Sequence, residues 1–303
     1  MCIAVQTPST RLLVDPGASL GPHRHGYRPH PEEYRALKQR SNAILHHADQ
    51  ADGLVITHYH FDHYIPSFEN YRYNWSSEAR AERLFEGKRV FGKHTEKDIN
   101  YSQKKRAYYV EQLCEDVADE LVAADGTEAA LGDLSLTFSG PVPHGPEGTK
   151  LGYVIMVGIE HGDRCVVYCS DVQGPVAQDA LEWVLAQQPD EVIVDGPPSY
   201  LVPSKFERKD LESAQDNMVE LAGAADLIVD HHLMRSQDYE AFLEPVCEAA
   251  EEVGNTVQTY AEIRGEDNSF LEARREQLHE DDPVDDAFYE RVEEGYYVDH
   301  ELP

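Results

Sequence analysis

Three histidines and an aspartate stand together directly after an apolar stretch of the chain. His58, His60, Asp62 and His63 follow Leu54-Val55-Ile56-Thr57, which puts four possible metal ligands within six residues. In an extended stretch the side chains alternate, so we expect His58 and His60 to point the same way and reach one cation. Asp62 and His63 would then turn toward a second position. Imidazoles with one carboxylate and no thiolate suit Zn, Fe or Mn, and leave enough positive charge to acidify a bound water.

The later chain offers further ligands where predicted strands end. They are His144 after Leu134–Phe138, Asp171 after Cys165–Tyr168, His231 and His232 after Leu227–Val229, and Asp15 after Leu12–Val14. An α/β scaffold builds a site by gathering side chains from the ends of several strands. The sequence therefore predicts a site with enough ligands for two cations.

Short apolar runs and amphipathic runs alternate along the chain, which predicts an α/β layered domain. Further strands are predicted at 151–159 and 192–194, and helices at 32–47, 106–120, 176–187, 209–222 and 239–253. Residues 280–303 contain ten acidic residues and one arginine, with little apolar periodicity. We therefore divide the chain into a domain over residues 1–260 and an acidic C-terminal extension over 261–303, and we expect residues 280–303 to be a solvated tail.

Taken together and in this order, the five motifs resemble those of the metallo-β-lactamase superfamily, over about residues 11–235. The resemblance implies an αβ/βα four-layer sandwich, in which two sheets flanked by helices carry a two-metal site along one edge. It implies that the first metal is held by His58, His60 and His144. It places Asp62, His63 and one of His231 or His232 on the second metal, with Asp171 between the two and Asp15 supporting the ligands.

The fifth motif contains two histidines, and either could be the metal ligand. We lean to His231, because the run 227–231 repeats the spacing of the run 54–58, but His232 fits nearly as well. Within the superfamily the chain is most similar to an archaeal branch, through its Asp-Pro-Gly, Ser-Asp-Val-Gln-Gly and Asp-His-His strings.

The charge of the chain is strongly acidic, with 57 Asp and Glu against 26 Lys and Arg and a formal net charge of −31. Such a surface repels itself and nucleic acid at low salt, whereas concentrated salt screens it. We therefore predict a halophilic protein, whose global charge says little about its substrate. The five cysteines form no Cys-x-x-Cys pair, which argues against a disulfide framework or a zinc ribbon. No run approaches a membrane span and no signal peptide begins the chain, so we predict a cytoplasmic protein without membrane partners.

A basic island of opposite sign follows the metal motif. Residues 72–106 hold ten Lys or Arg and five acids, with aromatic residues interleaved. We predict Lys104, Lys105 and Arg106 as substrate-binding residues, because basic and aromatic groups at a site favour an anionic substrate, either a small molecule or RNA. The alternative is a surface helix and loop with ordinary ion pairs.

These features predict a hydrolase with two divalent ions, zinc first and iron or manganese as alternatives. A hydroxide shared by the metals would attack an anionic ester such as a phosphodiester or RNA, and Asp62 or Asp171 would accept the proton. One alternative is hydrolysis of a lactone or thioester at the same site. The other is a catalytically silent metal-binding interaction module. Iron-dependent redox chemistry is disfavoured, because redox members of the superfamily usually carry a carboxylate where this chain has His60.

Overall fold

The N-terminal part of the chain forms the first of two large sheets. A computed structural model describes residues 2–303. The sheet has the order β1-β2-β3-β4-β5, and its strands are parallel except for β1. These strands are β1 (Ile3–Gln6), β2 (Arg11–Val14), β3 (Gly53–Ile56), β4 (Arg89–Gly92) and β5 (Glu120–Ala123).

The second sheet has seven strands in the order β14-β13-β12-β11-β10-β7-β6. The strands from β11 to β14 run parallel to one another. Strand β10 pairs antiparallel with β11, β7 pairs antiparallel with β10, and β6 pairs antiparallel with β7. The members are β6 (Glu128–Leu131), β7 (Leu134–Phe138), β10 (Val157–His161), β11 (Arg164–Tyr168), β12 (Glu191–Val194), β13 (Asp226–Val229) and β14 (Val257–Thr259). A small ladder pairs β8 (Val142–Pro143) with β9 (Tyr153–Val154).

Helices cover the outer face of each sheet, so the molecule has four layers. One core packs α1 (Pro31–Ala48), α2 (Glu78–Phe85) and α3 (Tyr101–Val117) on the first sheet. Another packs α4 (Gln178–Ala186), α5 (Arg208–Ala222) and α6 (Tyr239–Val253) on the second. A third core lies between the sheets and includes the stacked rings of Phe91 and Phe138, with centroids 5.7 Å apart. The predicted αβ/βα sandwich is confirmed.

The alternation of side chains along β13 explains how one apolar run serves two cores. Leu227 and Val229 face the helices, while Ile228 faces the layer between the sheets. A strand buried on both faces reads as a continuous apolar run because successive side chains point to opposite sides.

The prediction of one strand over residues 151–159 was wrong. The segment bends between β9 and β10, where the Ile155 amide donates to the Thr57 carbonyl at 3.1 Å. The Met156 carbonyl accepts from the Ser139 amide at 3.0 Å. These two hydrogen bonds take the place of regular strand pairing at the bend, where the chain passes from the β8–β9 ladder to the second large sheet.

The prediction of a solvated acidic tail was also wrong. The C-terminal segment, residues 261–303, forms α7 (Tyr260–Ile263, which starts one residue earlier), α8 (Arg275–Asp281), α9 (Asp286–Glu293) and a 3-10 turn (Tyr296–Val298). Its acidic side chains face water, while Phe288, Val292 and Tyr297 pack with Tyr34 and Trp75. The boundary at residue 260 stays a prediction, but the segment beyond it belongs to a core shared with α1.

A buried ion pair joins the C-terminal segment to the start of α1. Arg275 Nε and Nη2 donate to the two carboxylate oxygens of Glu33 at 2.8 and 2.7 Å, and the side chains are 0% and 2% exposed. Glu33 also accepts from the His30 amide at 2.8 Å, as part of the capping box that begins α1. Arg275 Nη1 donates to the Tyr27 carbonyl as well.

None of the helices within residues 2–303 combines the length and the apolar character that a membrane-spanning helix needs.

Candidate metal centre

Loops from both sheets meet at one edge of the sandwich and bring the predicted ligands together. The first sheet contributes the loop after β3, and the second contributes the loops after β11 and β13, joined by His144 after β8. The ligand atoms form overlapping groups, each within 4.8 Å: His58, His60, His144 and Asp171; Asp62, His63 and His231; Asp171, His231 and His232; and Asp15, His58 and His63. All the metal-site residues named from the sequence therefore lie in one cluster.

The Asp171 carboxylate lies at the centre of the cluster. Its oxygens lie within ion-pair distance of five imidazole Nε2 atoms. The distances are 3.1 Å to His144, 3.2 Å to His63, 3.6 Å to His231, and 3.7 Å to both His58 and His232. Asp171 belongs to two of the groups, one with His58, His60 and His144 and one with His231 and His232, and its Oδ2 also lies 3.2 Å from His63 Nε2, as would suit a ligand between two cations.

Asp15 holds the loop after β3 in place from below. Its carboxylate accepts from the Thr57 amide at 2.8 Å, the Thr57 hydroxyl at 2.6 Å, the Tyr168 hydroxyl at 2.9 Å and His63 Nδ1 at 2.8 Å. The last bond fixes the His63 ring and turns Nε2 toward Asp171 and Asp62. This matches the supporting role that the resemblance implies for Asp15.

His231 and His232 occupy different environments. His231 Nε2 lies 3.5 Å from Asp62 Oδ2, and its ring groups with Asp62 and His63. His232 Nδ1 is bonded to Asp195 Oδ2 at 2.7 Å, which fixes the ring and leaves Nε2 facing Asp171. The geometry favours His231 as the ligand that completes the group of Asp62 and His63.

Two hydroxyl groups that were not predicted from the sequence support the cluster, and Asp195 supports it as well. The Thr57 and Ser170 hydroxyls lie 2.6 Å apart and both approach His58 Nδ1, at 3.1 and 3.4 Å. Asp195 accepts from the Gln173 and Gly174 amides in addition to His232. A signal existed for Asp195, because it follows β12 as Asp15 follows β2.

The backbone at the edge adopts unusual conformations. Asp15, Ser170 and His231 have φ values of 48°, 59° and 61°, in the left-handed region that residues other than glycine seldom occupy. Each stands at or just after the end of a strand, where the conformation aims a site residue. Non-glycine residues persist in this region where the surrounding structure over-determines them, and they cluster at functional sites.

Burial keeps most of the imidazoles neutral. It lowers the pKa of His60, His231 and His232 to about 3, and lowers that of His58, which also faces the His63 and His60 rings. Burial acts the same way on His63, but Asp171, Asp15 and Asp62 outweigh it and raise its pKa to about 10.

Both central carboxylates remain ionised. Burial raises the pKa of Asp62 and Asp171, but the neighbouring imidazoles, led by His63 and then His231, more than compensate and lower each pKa below its ordinary value. Neutral imidazoles beside ionised carboxylates are the protonation state that metal ligands require, and a cation bound by His63 would have to displace the proton that this imidazole holds.

The donor set fits divalent cations. In the part of the chain that the structure describes, buried His58 Nε2, His63 Nε2 and Asp171 Oδ1 have no hydrogen-bond partner. Buried polar atoms are nearly always paired, so unpartnered atoms within one cluster of possible ligands fit coordination to a cation. Imidazole and carboxylate donors suit Zn, Fe or Mn.

The three predicted substrate-binding residues lie on α3 and have different environments. Lys104 pairs with Glu96 at 3.3 Å, and Lys105 is exposed. Arg106 Nη1 donates to the Tyr59 carbonyl at 3.3 Å, between two of the candidate ligands. Four more cations of the basic island have acidic partners: Arg72 with Glu293, Arg83 with Asp49, Arg89 with Glu120, and Lys93 with Asp125.

Comparison with known proteins identifies the family. Residues 10–256 match the model of a β-lactamase superfamily domain. A UPF0282 protein of Methanopyrus kandleri is 39% identical over 279 residues, which cover 92% of this chain and 94% of that one. The chain belongs to the UPF0282 family of the β-lactamase superfamily. A second UPF0282 protein, from Pyrococcus furiosus, is 37% identical over 280 residues, covering 92% of this chain and 87% of its own.

A solved structure shares the fold of this UPF0282 chain. CmlA, a diiron β-hydroxylase from Streptomyces venezuelae, superposes with a TM-score of 0.50 and 14% identity over 85% of this chain. The match spans about half of the CmlA chain, 51% of its length. The predicted membership of the metallo-β-lactamase superfamily is confirmed.

Proposed function

We propose that this UPF0282 protein is a binuclear metal-dependent hydrolase. The observation that carries the proposal is the position of Asp171, whose carboxylate lies within 3.7 Å of five imidazole nitrogens. His58, His60 and His144 would hold one cation, Asp62, His63 and His231 the other, and Asp171 both. Two divalent cations held in this way supply Lewis-acid activation of water and neutralise the charge that develops on an ester under attack.

The two central carboxylates would have different tasks. The Asp171 side chain is 2% exposed and surrounded by imidazoles, so it holds its place between the two groups. The Asp62 side chain is 22% exposed, so of the two it is the carboxylate that would exchange a proton with solvent. Asp15 and Asp195 keep the rings of His63 and His232 oriented.

The substrate class we propose is an anionic ester, with phosphodiesters and RNA as candidates, because Lys105 and Arg106 stand beside the loop that carries His60 and Asp62. Hydrolysis of a lactone or thioester is the second candidate. The ion pairs of the basic island favour it, since cations that are paired with acids attract a polyanion less.

Metal analysis and a substrate panel in concentrated KCl test the proposal. Protein reconstituted separately with Zn, Mn and Fe(II) is assayed with bis(p-nitrophenyl) phosphate, a short RNA, a lactone and a thioester. We expect two cations per chain and hydrolysis of at least one substrate. Asp62→Ala should lose turnover while circular dichroism shows an intact fold, and Asp179→Asn, an exposed acid on α4, should keep turnover.

Two outcomes would contradict the proposal. Full turnover by Asp62→Ala would contradict both roles assigned to Asp62, as the proton acceptor and as a member of the second group of ligands. Two bound cations with no hydrolysis across the panel would instead support a catalytically silent metal-binding module.

A further inference from the structure

A cavity of about 590 Å³ lies beside the metal centre, between α3 and the loop that follows the ligand stretch. Its walls are mainly aromatic and aliphatic, with Phe61 and Phe68 on one side and Tyr109 and Leu113 on the other. Small-molecule sites are concave, largely apolar and usually about 300–1,000 Å³ in volume. The cavity therefore has the size and lining of a site for a small organic molecule.

Large apolar side chains remain in contact with water at this cavity. Phe68 is 44% exposed and Tyr109 is 53% exposed, although the rest of the chain buries most of its aromatic rings. The Phe61 and Phe68 rings meet edge to face with centroids 5.3 Å apart. A group of exposed rings around a concavity indicates a binding surface more than a single exposed side chain does.

The cavity is lined by one residue of the loop that carries candidate ligands. Phe61 stands between His60 and Asp62 in the chain, so its backbone belongs to the ligand loop. The Arg106 guanidinium lies 4.1 Å from the centroid of the Phe61 ring and also donates to the Tyr59 carbonyl. A molecule seated against Phe61 would therefore lie next to the cluster of ligands.

Two cations of the lining face the cavity without acidic partners. Within residues 2–303, neither Lys105 nor Arg106 forms an ion pair, although the chain has a net charge of −31 and Lys104 on the same helix pairs with Glu96. Since nearby carboxylates are abundant, two unpaired cations at an apolar cavity are complementary to an anionic ligand.

We propose that the cavity binds a small organic anion with a planar apolar group, and that this group carries the ester on which the site acts. The proposal rests on the proposed function and narrows its substrate class. The planar group would lie between Phe61 and Tyr109, and the negative charge would face Lys105 and Arg106. RNA fits less well, because a strand needs a continuous track of unpaired cations and four others of the island are paired.

Binding of an anion that cannot be hydrolysed tests the proposal apart from catalysis. Calorimetry with naphthalene-2-sulfonate should show saturable binding with one site per chain, and methanesulfonate should bind at least about 100-fold more weakly because it lacks the apolar ring system. Tyr109→Ala should weaken naphthalene-2-sulfonate about tenfold, through lost ring contacts. Tyr108→Ala, which removes an equally exposed ring that does not line the cavity, should leave the affinity within about twofold.

Two neighbouring lysines on α3 give a second comparison. Lys105→Ala should weaken binding of naphthalene-2-sulfonate and reduce the dependence of its affinity on KCl. Lys104→Ala should do neither because Lys104, although predicted from the sequence as a substrate-binding residue, lies outside the cavity and pairs with Glu96. Equal effects of Tyr108→Ala and Tyr109→Ala, or the absence of saturable binding, would overturn the proposal. Binding of a short RNA by protein that does not bind naphthalene-2-sulfonate would also overturn the proposal.

The same protein separates this proposal from the proposed function. Binding of naphthalene-2-sulfonate with the expected variant effects, but no hydrolysis of 2-naphthyl phosphate or of its diester with any metal, would support the cavity and contradict the hydrolase. Hydrolysis of small esters that is indifferent to Tyr109→Ala would support the hydrolase and contradict the cavity.

Discussion

Removing one partner of the buried pair of Glu33 and Arg275 should cost much more stability than removing one partner of a surface pair of the same geometry. Arg275→Met removes both donors at 2.7 and 2.8 Å and leaves the Glu33 carboxylate 2% exposed with the His30 amide as its remaining partner. Breaking a buried pair in this way costs about 3–5 kcal/mol, because an uncompensated charge stays in a medium of low dielectric constant.

The chain contains a matched surface pair. Arg83 donates to Asp49 through Nε and Nη2 at 2.9 and 2.7 Å, but the two side chains are 52% and 41% exposed. Water and salt already solvate these charges, so Arg83→Ala should change the free energy of unfolding far less than Arg275→Met. The two variants therefore compare burial at nearly constant hydrogen-bond geometry.

Urea unfolding in concentrated KCl, followed by circular dichroism, measures both variants. The double variant Glu33→Gln/Arg275→Met should recover part of the loss of Arg275→Met, because it also removes the unpaired charge. Limited proteolysis should show earlier cleavage of the C-terminal segment in Arg275→Met than in the parent protein. Equal losses in Arg275→Met and Arg83→Ala, or no recovery in the double variant, would refute the reasoning.

Three further predictions concern the metal centre and a buried thiol. Asp15→Asn should weaken metal binding about 10–100-fold in a chelator competition, because the amide cannot accept all four bonds, and an unchanged affinity would argue against its supporting role. Gly17→Ala should lower both the melting temperature and the bound metal, since a Cβ there would lie 2.2 Å from the Tyr64 amide nitrogen, whereas Gly140→Ala has no atom within 4 Å and should alter neither. Burial raises the pKa of the Cys114 thiol to about 12, so iodoacetamide at pH 8 should label this thiol slowly in the folded protein and rapidly in urea. The labelling rate of the folded protein should rise as the pH approaches 12. Fast labelling of the folded protein at pH 8 would contradict the burial.

The candidate ligands could be predicted because each has a local signal. His58 and Asp171 follow apolar runs that are long enough to be recognised as strands, and parallel strands bring their carboxyl ends to one edge. The superfamily and the four-layer fold followed from the order of these strand ends. Helix α6 begins and ends where its periodicity predicted, and Gly254 with φ 89° follows it in a left-handed C-cap.

Supporting groups and the C-terminal segment lacked such signals. The Thr57 and Ser170 hydroxyls meet only in three dimensions, 113 residues apart in the chain. In α9 the apolar residues Phe288, Tyr289 and Val292 are outnumbered by charged ones, so composition concealed a face that packs on α1. Predicting that packing required knowing that α1 leaves Tyr34 and neighbouring apolar groups to be covered.

Asp15 joins more than a single loop. It directly follows β2 of the first sheet and accepts a hydrogen bond from the Tyr168 hydroxyl of the second, while the same carboxylate orients the ring of His63. A displacement of one sheet against the other would therefore be transmitted to that imidazole through one shared carboxylate. Substitutions deep between the sheets, as at Phe91 or Phe138, should for this reason alter the edge that carries the candidate ligands without touching any residue on it.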